Sequence, residues 1–588
     1  MQPPARAKRV LAGFAPTSTI CACPEASKCV SLSVELAIGA LKQVPPGSRP
    51  PRARVKRLKS KGRPEPFCRT DIIQSVAQSG LSVGLGALKR VKNRVIRCLA
   101  FALSALLIFE PALLAQELPT LGEAGGEELS PLEERHYGEE IMQQYVRRSP
   151  EYLDDPETTD YINRLGFELV AASAARHINF EFFVLRDATI NAFALPGGFI
   201  GVHTGLILTA QSESELASVL GHEIGHVQQR HLARSLARER DTAMITLGSV
   251  LAALLAARSN QGSEAALVVG QAAAMARKLS FSRNDEREAD RVGFQILVDA
   301  GFDPQAMADF FARMQQGTRA YASVAPAYLQ THPMTEERIA DMQARIRTAH
   351  THQHADSLDF QLVRARLRVL QDESTQGLRD RLAGFTDQIT HNASVSDAAA
   401  YYGIALANLK LKRPGAALEA ALAARRSTNV PSAILDNIVL LARFDAAKSD
   451  AERDTVLQAA QETAARFPLS RPVAMQYTDL LQRANHHAQA IAYLRDQLAL
   501  SHNDPDFYNF LATSYAALDH KTLQHQATAE MYLLLGSAPA AVEQLQIARK
   551  VADADFYTMT EVDARLRQLT ALVREEREAA KNAGRNGP

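Results

Sequence analysis

With 588 residues, 46% hydrophobic content and 22% charge, the chain is long enough for two globular domains plus a processed segment. The formal net charge of +1 hides an asymmetry: residues 1–97 hold 19 Lys/Arg against 4 Asp/Glu (+15), and residues 116–588 hold 47 against 60 (−13), so no nucleic-acid partner is expected for the body of the chain. All five cysteines, at 21, 23, 29, 68 and 98, precede Gln116, which excludes a dependence on thiols or disulfides downstream of it.

Residues 1–88 read as a spurious or disordered extension. The Pro/Arg-rich stretch from Pro45 to Pro66 has little capacity to build a core, and Cys21, Cys23 and Cys29 lack the paired CxxC spacing of a zinc site. The alternative is a basic disordered arm that binds nucleic acid or anionic lipid. Residues 89–115 read as a signal peptide: a positive stretch from Lys89 to Arg97, charge-free residues from Cys98 to Phe109, then Leu113-Leu-Ala115 before Gln116. That apolar run is short of the ~20 residues a membrane span needs. A signal is normally read at an emerging N-terminus, so this order predicts a start site assigned too far upstream and export of the remainder.

Residues 116–350 are expected to form the first domain. Phe180 to Leu185 and Phe199 to Val202 are short apolar, aromatic or branched runs, with the turn signal Leu195-Pro-Gly-Gly198 between them. The pattern predicts strand, loop and strand, either a core hairpin or an edge that pairs with a substrate backbone. Ser212 and Glu215 form a capping-box pattern that opens a helix to about Arg234. On that helix Leu216, Leu220, Ile224 and Val227 make one apolar stripe, and His222 and His226 lie on roughly the opposite side. The sequence His222-Glu223-Ile224-Gly225-His226 puts two imidazoles one turn apart beside a carboxylate, a pattern suited to a zinc ion that acidifies water.

Ala243 to Ala257 and Ala265 to Ala276 are apolar but too short to span a bilayer, and read as a packed helical pair or as a mobile flap that covers the cleft or touches the membrane. Glu286 and Asp290 are four apart on one predicted helical face. They are either a solvated acidic helix end or a third metal ligand with a residue that orients a ligand histidine. His332, before Pro333, reads by itself as a turn residue. From 351 to about 580 the chain is rich in Ala and Leu at helical spacing. Tyr401 to Ala407 and Pro414 to Leu422 form one helix pair, and Pro472 and Pro505 open two further helices 33 positions apart, close to the 34-residue tetratricopeptide period.

The HExxH motif with Glu286-x-x-x-Asp290 resembles the gluzincin metallopeptidases, which include the CAAX prenyl endopeptidases and the HtpX-type proteases. Ser130 to Arg135, Tyr152 to Pro156, Asn191 to Gly198, Gly201 to Gly205 and Thr331 to Arg338 resemble its soluble periplasmic branch, which joins the peptidase to tetratricopeptide repeats. The resemblance covers about Leu118 to Leu572. It implies an α+β, mainly helical fold: a gluzincin-type domain with a small sheet, then an all-α tetratricopeptide-repeat domain. It further implies one Zn2+ held by His222, His226 and Glu286, with Glu223 as general base and Asp290 as an accessory proton-handling or supporting residue. His332 becomes a possible regulatory fourth contact to the metal.

The implied activity is periplasmic endoproteolysis, with chaperone-like action on misfolded or stalled outer-membrane β-barrel proteins and contact with their assembly machinery. Peripheral contact with the membrane is a further expectation. The alternative is a latent-site chaperone or scaffold whose repeats bind partners with little proteolysis.

Overall fold

The computed structural model describes residues 129–237, 281–320, 327–349, 353–551 and 553–585, all within one compact unit from Glu117 to Pro588. The expected extension and signal peptide, and the apolar runs at 243–257 and 265–276, lie outside the described residues. Among the described residues no helix is long and apolar enough to cross a membrane.

The first helix, α1 (Pro131–Ile141), starts at a capping box formed by Ser130 and Glu133. Helix α2 (Pro156–Ala171) starts at Asp155, whose carboxylate accepts from the Thr158 N–H, with Pro156 at the first helical position. A three-stranded sheet follows, with β1 (Glu181–Leu185), β2 (Ala192–Leu195) and β3 (Phe199–His203) in the order β1-β3-β2. The expected pair of strands is therefore not a hairpin. β1 and β3 run parallel, with Glu181 opposite Phe199, and β2 pairs antiparallel with β3, with Leu195 opposite Phe199. β2 escaped the sequence reading because four residues carry too little alternation to register. The Pro196-Gly-Gly198 turn closes the β2–β3 hairpin, with Gly197 at φ 76° docked so closely under α1 that a Cβ there would lie 2.5 Å from Arg135 Cα. β2 is left on the sheet edge.

After the short α3 (Thr204–Thr209) comes α4 (Glu213–Gln228), which carries the HExxH residues. Ser212 accepts from Glu215 N–H as expected, but the Glu215 carboxylate does not close the box. It takes the Gln211 N–H at 2.7 Å and both guanidinium nitrogens of Arg313, at 2.6 and 2.5 Å. Every residue from Glu213 to His226 is buried, so α4 is a central helix rather than one with a face open to a cleft. It also ends earlier than the pattern suggests. Arg230 adopts φ 52°, and a separate α5 (His231–Ala237) follows.

Helices α6 (Arg283–Asp299), α7 (Gln305–Ala320), α8 (Ala327–Thr331) and α9 (Glu336–Ile346) complete this region. The rest is helical from α10 (Leu358–Leu370) to α21 (Phe556–Arg585). The predicted pair is α12 (Asp397–Lys410) and α13 (Pro414–Arg426), and the two proline-opened helices are α16 (Arg471–Arg483) and α18 (Pro505–Ala517). Their turns share one device. Lys412, Asn485, Asp519 and Gly536 are left-handed, and the following N–H groups of Arg413, His486, His520 and Ser537 reach back to Asn408, Leu481, Tyr515 and Tyr532 at 2.8–2.9 Å. These are Schellman-type stops that let each helix fold back on its neighbour, and Asn485 and Asp519 are 34 positions apart.

One apolar core runs from Leu165, Phe182 and Leu220 through Phe360 to Tyr402 and Leu435. At its edge Arg366 of α10 binds the Asp155 carboxylate at 2.6 and 2.7 Å, and lies 2.6 Å from Glu157 and 2.8 Å from Tyr402 Oη. A buried ion cluster thus fastens the start of α2 to the helices from α10 onward.

Candidate metal centre

Two helices build the site, and glycines set how close they come. Gly221 and Gly225 of α4 face Gly293 and Ala289 of α6: a Cβ on Gly225 would lie 3.0 Å from Ala289 O, and one on Gly293 2.8 Å from His222 N. With backbone nearly touching backbone, Glu286, two turns before Gly293, reaches the imidazoles of α4. Gly293→Ala should force the helices apart, lowering stability by about 1–3 kcal/mol and weakening metal binding. A melting curve and zinc titration equal to those of the unmodified chain would contradict this packing account.

The structure brings His222, His226, Glu286 and His332 together, one ligand atom from each, with all four atoms within 4.8 Å of one another. His222 Nε2 lies 3.0 Å from His226 Nε2 and 3.6 Å from Glu286 Oε2, and His226 Nε2 lies 3.6 Å from Glu286 Oε1. His332 Nδ1 is 2.9 Å from Glu286 Oε1 and 3.4 Å from His222 Nε2. Ligands about 2.0–2.1 Å from a tetrahedral zinc stand about 3.3 Å apart. The observed spacings bracket that value. All four residues are at most 1% exposed.

Charge supports the same conclusion. Glu223, Glu286 and Asp290 are buried with one guanidinium, Arg338, so with the imidazoles neutral, as metal ligands must be, and the carboxyls ionised, three negative charges meet one positive, a formal −2. Buried charge on that scale needs compensation, and a divalent cation supplies it. Burial opposes charge on the Glu286 carboxyl, yet His332 and His222 hold it well below the usual range. Burial, then His222 and His332, push His226 well down, towards the neutral form that a metal requires. For His222, burial disfavours the cation, but Asp290 and Glu286 win and raise it to about 9. Both Glu223 oxygens are buried without a side-chain hydrogen-bond partner, a carboxylate free to take a proton beside the cluster. The residues present fit a zinc ion.

Asp290 stands behind the cluster. Its Oδ1 is 3.0 Å from His222 Nδ1, and Arg338 grips both its oxygens, at 2.6 and 2.7 Å. Arg338 also reaches Glu286 Oε2 at 2.7 Å and donates to the Pro333 carbonyl at 2.9 Å, so one side chain ties α6 to the His332 loop. His332 leaves the end of α8 with its ring stacked on Tyr328 at 4.7 Å and its Nε2 3.6 Å from Glu223 Oε1.

Four neighbours were given no role by the sequence reading: Arg338, which ends the Thr331 to Arg338 stretch, Tyr328, Phe281, whose ring stacks on His226 at 3.9 Å, and His231, 2.9 Å from His226. The available signals were the stretch that Arg338 ends and a third histidine five positions after the HExxH motif. The others arrive by folding.

The family model for peptidase family M48 matches residues 156–346. The chain is 32% identical over 463 residues to the beta-barrel assembly-enhancing protease of Escherichia coli, covering 78% of this chain and 92% of that one. To the putative beta-barrel assembly-enhancing protease of Vibrio cholerae it is 39% identical over 284 residues, 48% of this chain and 57% of that one. A mitochondrial metalloendopeptidase of Schizosaccharomyces pombe is 35% identical over 205 residues, 35% of this chain and 57% of that protein. Against a solved TPR protein with an unusual peptide-binding site the identity is 14% and the TM-score 0.24, over 32% of this chain and 92% of that one. The repeat assignment therefore stands on the helix pairs themselves.

Proposed function

The chain belongs to peptidase family M48, and we propose that it is a zinc-dependent endopeptidase of the bacterial periplasm acting in quality control and assembly of outer-membrane β-barrel proteins. The observation that carries the chemistry is the convergence of four buried ligand atoms within 4.8 Å of one another, beside the buried Glu223 carboxylate. In this reading His222, His226 and Glu286 are the metal ligands, Glu223 is the general base, Asp290 holds His222, and His332 is a regulatory fourth ligand. When bound, zinc supplies Lewis acidity that polarises the scissile carbonyl and acidifies water.

The side chains then do the rest. Glu223 takes the proton of the attacking water and delivers it to the departing amine. Arg338 and Asp290 keep the ligand carboxylate and His222 in register, and the edge strand β2, packed against α4, is placed to pair with an extended substrate. Substrates are proteins, and the repeat helices supply a surface for clients and for the β-barrel assembly machinery. The segment 89–115 would direct the chain to that compartment.

Catalytic zinc sites keep one coordination position open, whereas four protein ligands close the site. The approach of His332 to Glu286 and His222 favours a latent resting state. His332→Ala should raise the initial rate of casein cleavage on the order of tenfold, the equivalent of about 1.4 kcal/mol. An unchanged rate would reduce His332 to a loop anchor. The closed site also favours a second activity, chaperone-like holding of clients. Chelating the metal from the full chain should abolish cleavage, zinc should restore it, and binding of an unfolded β-barrel client should persist throughout. Cleavage that survives complete metal removal would refute the zinc reading.

A further inference from the structure

We infer that His231 is a positioning residue of the metal centre, fixing the tautomer and ring orientation of His226 through a hydrogen-bond chain that ends on Glu288. The inference rests on the zinc reading above, and begins from the break in the helix.

Had α4 run on unbroken, residue 231 would lie five positions past His226, about 140° round the axis, and could not face it. Arg230 interrupts the helix with φ 52°, a conformation that residues with a Cβ avoid. Two contacts hold it there: Arg230 Nε donates to Glu134 Oε1 at 2.8 Å, and its terminal nitrogen donates to the Leu129 carbonyl. Like Lys412 and Asn485, Arg230 ends its helix in a left-handed turn, and here an ion pair from α1 holds it. The result is that α5 starts with His231 folded back against α4.

The His231 side chain is completely buried. Its Nδ1 lies 2.9 Å from His226 Nδ1, and its Nε2 lies 3.2 Å from Glu288 Oε2. Two ring nitrogens at that distance need one hydrogen between them. His226 turns its Nε2 towards the cluster, 3.0 Å from His222 Nε2, where a cation takes the lone pair. Its Nδ1 therefore carries the hydrogen and donates to His231. His231 accepts at Nδ1 and donates its Nε2–H to Glu288, so each ring is fixed in one tautomer. Arg234, 3.7 Å from both Glu288 and Asp285, steadies the acidic end, and the Phe281 ring covers His226 from the other side. A ligand imidazole whose second nitrogen is anchored in this way binds its metal more tightly.

The test is zinc affinity of the full chain, measured by competition with a chromophoric chelator, together with the visible spectrum of the cobalt-substituted protein. His231→Leu should weaken zinc on the order of 10- to 100-fold and shift the cobalt bands. His231→Gln can accept from His226 and donate towards Glu288, and should recover most of the affinity. Glu288→Ala, at a partly exposed position, should show a smaller loss. Equal affinity in wild type and His231→Leu, or no recovery in His231→Gln, would overturn the inference while leaving the zinc site intact. If His231→Leu does not fold, wild-type affinity in Glu288→Ala overturns it instead. A wild-type chain that binds no zinc would remove the site reading itself, and this inference with it.

Discussion

Glu223→Gln is expected to lower peptide cleavage by about 10² to 10⁴, the range that a positioned general base supplies, while zinc content stays at one ion per chain. Several observations make this substitution unusually clean. Glu223 lies on α4 between the two imidazoles but is not one of the four clustered atoms, so the ligand set survives. The amide has the shape of the carboxylate, and its oxygen can still accept from the Ala194 backbone, the one hydrogen-bonding influence on the Glu223 carboxyl. Burial pushes the Glu223 carboxyl up, against the smaller opposing pull of His332 and His222, so the neutral amide removes a charge that burial disfavours. Activity and stability should therefore separate. A variant that still cleaves at near the wild-type rate would take Glu223 out of the mechanism.

Glu286→Ala should abolish cleavage by a different route, through loss of the metal. Zinc binding by small structural sites is worth about 10–16 kcal/mol, so one ligand among four carries about 3 kcal/mol, or 10² to 10³ in affinity. The true loss should sit at the upper end. Glu286 contributes one of only three carboxylates in the buried site, and without it the formal −2 falls to −1. Its removal also releases His332 Nδ1, 2.9 Å away, and one of the anions beside Arg338. Zinc titration checks the affinity, and the cleavage assay run at saturating zinc separates a binding defect from a catalytic one. Retention of zinc at wild-type affinity would show that the carboxylate is not a ligand.

The parts of the site governed by local geometry were readable in the sequence. An i,i+4 spacing puts His222 over His226, and Glu286 over Asp290, on any α-helix, and the resemblance paired the two helices. What depends on the folded chain was not readable. Arg338 meets Glu286 and Asp290 only because α9 crosses α6, and although Thr331 to Arg338 carries the resemblance, its residues do not say which carboxylates the guanidinium will reach. Arg230 looks like an ordinary helix former, and its left-handed backbone comes from partners about a hundred positions earlier, Leu129 and Glu134. The apolar stripe on α4 was real, but Gly221 and Gly225 remove the polar face as a surface by letting α6 cover it. A pattern of hydrophobicity cannot distinguish a helix open to a cleft from one whose polar groups are buried against each other. In the repeats the opposite holds, because Pro472 and Pro505 act on the local backbone and the helices start beside them.

The central claim is that side chains from α4 and α6 converge on one cation. The most direct test is a crystal structure of the full chain grown with zinc, with anomalous data collected on both sides of the zinc edge. A single strong peak should lie about 2.0–2.1 Å from Nε2 of His222 and Nε2 of His226, with a Glu286 oxygen at a similar distance. No peak between those residues, or a zinc bound elsewhere with Glu286 turned away, would contradict it.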